Sequence, residues 1–181
     1  MSSNKNSLLK LVLSALFLAL ALVLPFLTGQ LKQLGNALCP MHIPVILCGF
    51  FCGPWYALAV GVIAPLLRFA LFGMPPVIPT GLAMCFELAV YGITAGLLYR
   101  AFPKKKIFIY LTLILAMLAG RLVWGGVMTV LMGLGKTEFG WPMFFAGAFT
   151  NAIPGIVLQL VLIPLLVIIL TGAFPKLKPQ E

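Results

Sequence analysis

Three charged side chains lie inside long apolar runs of this chain: Arg68, Glu87 and Arg121. A charge near the middle of a bilayer is costly, so such residues pair with one another, line a wet cavity or meet a ligand. A guanidinium can grip a carboxylate through two parallel hydrogen bonds. Two arginines against one glutamate, with His42 as a further donor, would make a net-positive pocket whose favoured guest is an anion or carboxylate. Asn151 adds an amide, and Trp141 an aromatic ring at the depth of the interfacial belt. The expected division of labour is one arginine on the ligand and the other on Glu87, with nothing to say which is which. The alternative for the same residues is an Arg–Glu pair that only locks helices together.

Other chemistries find less support. Gly135-Lys136-Thr137 resembles the end of a phosphate-binding loop, but Val130 stands where that motif needs its first glycine, and no strand pattern precedes it. Cys39, Cys48, Cys52 and Cys85 lack metal-ligand spacing, and Cys48 and Cys52 share an apolar helix face, so they read as small hydrophobes. The chain has no Asp, no Ser–His arrangement and no paired carboxylates. The expectation is a protein that is not an enzyme and needs neither cofactor nor metal.

The elements that must hold these residues follow from composition. Hydrophobic residues make up 62% and charged residues 8% of the 181-residue chain, and the mean hydropathy is +1.16. Soluble domains are about 25% charged, so this chain reads as one integral membrane domain spanning 1–181. A bilayer core of roughly 30 Å takes about 20 apolar residues per helix. Continuous rather than alternating runs predict helices over approximately 7–27, 41–53, 54–73, 77–100, 107–132 and 143–171, an all-α bundle of six. The second, broken from the third at Gly53-Pro54, would rise only about 15 Å and cannot cross alone. Short, Pro-interrupted segments of this kind mark binding sites in transporters. The first run is longer than the apolar core of a cleaved signal peptide.

Orientation follows from loop charge. With the N-terminus inside, inner segments hold Lys5, Lys10, Arg100, Lys104, Lys105, Lys106, Lys176 and Lys178, whereas outer loops hold Lys32 and Lys136. Both termini are therefore expected in the cytoplasm. The net charge of +9 is mostly this topology signal, and no nucleic-acid partner is expected. Counted from the helix ends, Arg68 and Arg121 lie about 20 Å above the inner side, with Glu87 near the midplane. All three, with His42 and Asn151, fall toward the outer half, where the loops are also longest.

Ala15 and Ala19 sit one turn apart in the first helix, and small residues at that spacing allow close helix approach. At this point a family resemblance enters. Ala15-x-x-x-Ala19, Met41-His42-Ile43-Pro44-Val45 through Cys48-Gly49-Phe50 to Gly53-Pro54, Ala64-Pro65-Leu66-Leu67-Arg68 and Glu87-Leu88-Ala89 resemble the substrate-binding S components of energy-coupling factor (ECF) transporters, the pantothenate-type and related vitamin S components in particular. The resemblance implies high-affinity capture of a vitamin near the outer face of a bacterial cell membrane. It further implies a transmembrane T component docked on Ala15 and Ala19, and two cytosolic ATPases as the motor. Pantothenate, with one carboxylate, hydroxyls and an amide, suits a net-positive pocket carrying Asn151 and His42. The competing readings are a solitary permease, disfavoured by the lack of an evident internal repeat, and a membrane scaffold, which has no use for the cluster of costly charges.

Overall fold

The computed structural model describes residues 2–28, 37–135 and 140–173. Lys32, Lys136, Glu138, Lys176 and Lys178, on which part of the charge bias rests, lie outside them. Among the described residues the regular elements are all helical: α1 (Ser2–Val23), α2 (His42–Phe51), α3 (Pro54–Phe72), α4 (Leu82–Ala101), α5 (Lys106–Leu134), α6 (Trp141–Ala148) and α7 (Ile153–Ala173). A 3-10 turn, Leu24–Thr28, closes α1, and another, Thr150–Ala152, joins α6 to α7. Five stretches are long and apolar enough to cross a membrane: Asn6–Phe26, Pro54–Phe72, Val77–Ala101, Lys106–Leu134 and Trp141–Ala173. With the 10-residue α2 they form an all-α membrane bundle of six segments.

Prolines and glycines set the breaks. Gly53, at φ 104, takes a conformation open to glycine, and Pro54 then starts α3 where its missing N–H is harmless. Gly73, left-handed at φ 69, ends α3 and donates its N–H to the Phe69 carbonyl. The regular part of the next helix starts at Leu82 rather than Val77, because Ile78 is extended (φ −116, ψ 130) ahead of Pro79. The last apolar run, expected as one helix, is broken at Phe149 (φ −125, ψ −64). Pro154 accounts for the break, since its ring would clash with the carbonyl four residues back.

Lipid tails are as apolar as leucine, so close contact between helices, rather than water exclusion, must hold such a bundle together. The sequence supplies small residues for it. α4 packs against α2, α3 and α5, and its neighbours approach almost backbone to backbone. A β-carbon on Gly61 of α3 would lie 2.6 Å from the Leu88 carbonyl carbon, one on Gly92 of α4 would lie 2.8 Å from Ala57, and one on Gly49 of α2 would lie 2.7 Å from the Gly92 carbonyl oxygen. Every residue of α2 is buried. α1, in contrast, buries only a stripe that includes Ser14, Phe17 and Ala21. Ser14 Oγ receives the Cys48 thiol at 3.6 Å, and Phe17 stacks on Phe51.

The close approach around α4 yields a direct test. Gly61→Val should destabilise the bundle by about 3 kcal/mol or more, because the backbone opposite cannot give way. Gly126→Val, at a position where nothing beyond its own stretch of helix lies within 4 Å of the added carbon, should change little. Thermal unfolding of both variants in detergent checks the contrast.

Candidate functional site

Glu87 lies in the second turn of α4 and is 1% exposed. Such a carboxylate needs partners, because burying it alone would cost far more than a typical domain can spare. Arg121 of α5 places Nη1 2.9 Å from Glu87 Oε1. His42, the first residue of α2, places Nε2 3.5 Å from the same oxygen. Tyr91, one helical turn along α4 from Glu87, meets the His42 ring edge to face at 5.2 Å. Gly120 makes room for that tyrosine: a β-carbon there would stand 2.8 Å from the ring. Arg121 also donates through Nη2 to Cys39 Sγ at 3.5 Å. Cys39 has a left-handed backbone, φ 46, which a residue other than glycine adopts at a cost.

The cluster is densely polar yet incompletely bonded. Glu87 is the partner of His42 Nε2 and of the Tyr91 hydroxyl, whereas His42 Nδ1 and Arg121 Nε are buried without a hydrogen-bond partner. Gln159 Oε1 is in the same state. Gln159 sits on α7, one turn after Gly155, which abuts the Ala37 and Leu38 carbonyls just before α2. It therefore belongs to the same end of the bundle as His42. Thr112 Oγ1 is also unpartnered, but lies more than two turns along α5 from Arg121. Unsatisfied buried groups cost about 1–3 kcal/mol each. Several such groups close together call for an explanation, a water or another polar molecule among them being one.

Not every expected residue joins the cluster. The arginine beside Glu87 is Arg121. Arg68, although buried, runs the other way: its Nη1 donates to the Leu22 carbonyl at 3.0 Å, and its guanidinium lies over the paired Phe26 and Phe72 rings at 5.6 and 5.7 Å. It braces the end of α1 against α3. Asn151 falls in the 3-10 turn and is exposed; the break at Phe149 turns it away from a continuous helix face. Trp141 is 75% exposed and packs on Phe144 and Phe145 of its own helix. That helix is in turn fastened to α5, with Phe144 over Gly125 and Trp124 over Gly147. Ala15 and Ala19 are both exposed on α1.

Tyr91, Cys39 and Gln159 were not anticipated from the sequence. Two carried a readable signal. Tyr91 is four residues from Glu87 and must share its face, and Gln159 is the lone amide in the apolar run Ile153–Leu170.

The pairing of Arg121 with Glu87 makes a quantitative expectation. Arg121→Met and Glu87→Gln should each destabilise by roughly 3–5 kcal/mol, since each strands a buried partner. The double variant should cost clearly less than their sum, which a double-mutant cycle on unfolding midpoints in detergent will measure. Arg68→Met should lower the midpoint additively with either.

Comparison with known proteins adds the context that geometry alone does not. No curated protein and no solved structure matches the chain. One protein-family model, described as ECF transporter, substrate-specific component, matches residues 9–168. That match covers all but the ends of the bundle, including α2 and every residue of the polar cluster, and the chain belongs to the family of ECF transporter substrate-specific components.

Proposed function

We propose that this multi-pass cell-membrane protein captures a small vitamin-like carboxylate with high affinity at the His42–Glu87–Arg121 cluster, pantothenate being the best candidate. The observation that carries this reading is the set of unpartnered polar atoms around a buried ion pair. The free Arg121 Nε offers a donor to a carboxylate or carbonyl. Gln159 Oε1 calls for a hydroxyl or amide N–H from the guest, and His42 Nδ1 for one further polar group. A ligand with an acidic end and hydroxyl and amide groups along its length meets those needs. α2, α4 and α7 also begin at this end, so the positive ends of their dipoles favour an acceptor-rich guest. This end is read as facing outward, with the basic connection Arg100–Lys106 inside.

The membership supports the rest of the cycle. Substrate-specific components bind small substrates and associate with a T component and ATPases. In this chain we read the exposed Ala15 and Ala19 face of α1 as the docking surface for the T component, with two cytosolic ATPases supplying the work. The whole chain is then one binding unit with no reaction of its own.

Two measurements test the proposal. A thermal-shift screen of small vitamins on the purified protein should single out pantothenate or a close carboxylate relative. Stabilisation by a cationic vitamin alone would overturn the carboxylate assignment. Replacing Ala15 and Ala19 together by leucine should abolish cellular uptake while leaving the dissociation constant of the purified protein within about twofold, because additivity holds for distant sites. Undiminished uptake would count against that docking face.

A further inference from the structure

The polar cluster is electrically balanced before any ligand arrives. One guanidinium, Arg121, faces one carboxylate, Glu87, at 2.9 Å. The second arginine expected in the pocket is engaged with the Leu22 carbonyl instead. A ligand carboxylate entering here brings a second negative charge to a single guanidinium. The groups involved are between 1% and 6% exposed, so water screens them little and the imbalance is expensive. Either Arg121 divides itself between two carboxylates, or a further positive charge offsets the second one.

The groups facing His42 limit where that charge can come from. Glu87 and Tyr91 of α4 meet it directly, and Arg121 of α5 and Cys39 of the preceding segment lie one contact further, on Glu87 and on Arg121. The other titratable side chains on the packed elements are elsewhere: Arg68 lies on Leu22, Lys10 lies toward Cys52, and Tyr99 lies against Phe50. Imidazole is the side chain that gains a proton most readily near neutral pH, and His42 Nε2 points at the Glu87 oxygen already shared with Arg121. His42 Nδ1 has no hydrogen-bond partner, so a proton can be added there while Nε2 keeps facing Glu87.

We propose that a carboxylate ligand binds together with one proton, drawn from solvent and held between His42 and Glu87. The ligand brings one negative charge and the proton one positive charge, so the filled site keeps the charge of the empty one. Arg121 is then free to turn its unpartnered Nε to the ligand while His42 shares in holding Glu87. The inference rests on the carboxylate reading above and adds its proton stoichiometry.

Calorimetric titration of the detergent-solubilised protein, in buffers of different ionisation enthalpy, tests it with pantothenate and its uncharged alcohol analogue panthenol as probes. Pantothenate should take up about one proton per molecule bound, and its affinity should fall by roughly tenfold per pH unit once the free pair is deprotonated. Panthenol should bind, more weakly, with no proton uptake. His42→Gln, which keeps hydrogen bonding but cannot charge, should lose proton uptake and the pH slope together. Glu87→Gln, whose site already carries the arginine charge unopposed, should bind pantothenate without uptake. Pantothenate binding with no proton uptake in the unaltered protein would overturn the inference and leave the carboxylate reading standing. Proton uptake unchanged in both variants would also overturn it. Failure of pantothenate and other monocarboxylate nutrients to bind at any pH would overturn both.

Discussion

The ion pair between Arg121 and Glu87 is the interaction around which the upper part of the bundle is arranged. In a medium without water, neither charge is tolerable alone, so α4 and α5 must meet at one register. Gly120 lets them do so, because any larger residue there would strike Tyr91. The backbone bend at Cys39 and the start of α2 at His42 then bring two more polar groups to the same spot. What results is costly as a purely structural feature. The same helices could be joined by apolar residues of similar volume with equal or greater stability. The retention of such a buried polar cluster is what the carboxylate-binding role proposed above would account for.

Beneath the cluster the physics changes. Contacts around α4 are made by Gly49, Ala57, Gly61, Gly92 and Gly96, which present backbone rather than side chain. This part of the molecule is closely packed and leaves no room for a larger side chain at those glycines. α1 stands apart from it, attached along a narrow stripe and braced near its end by Arg68. Most of its surface is left for lipid or for another protein, which is what a subunit that works in a larger assembly requires.

Much of this was legible in the sequence, for reasons that can be stated residue by residue. The apolar runs and the cost of charge in hydrocarbon disclosed the spans and drew attention to Glu87 and both arginines. The turn at Gly53-Pro54 disclosed the shortness of α2. The choice between the arginines was not legible. Arg68 continues the stripe of Ala57, Gly61 and Ala64 that faces α4, so periodicity alone directs it inward; its long side chain nevertheless runs to α1, where the Leu22 carbonyl and two phenyl rings receive it. Asn151 was placed by assuming an unbroken last helix, and Pro154 invalidates that assumption. Gln159 went unremarked because an amide in a long apolar run attracts less notice than a charge, although its burial makes similar demands.

One dimension of the bundle bears on the membrane itself. α5 has 29 residues and is therefore about 43 Å long, against a hydrocarbon thickness near 30 Å. Its outer face, from Ile107 through Leu118 and Leu122 to Leu134, is exposed and apolar along the whole length. Such a helix must lean, or the surrounding lipid must thicken to meet it, at fractions of a kcal/mol per ångström of hydrophobic mismatch. Since α5 carries Arg121, the tilt that a given acyl-chain length imposes is transmitted to the angle at which the guanidinium meets Glu87. Bilayer thickness thus becomes a variable of the polar cluster's geometry, coupled to it through a single helix.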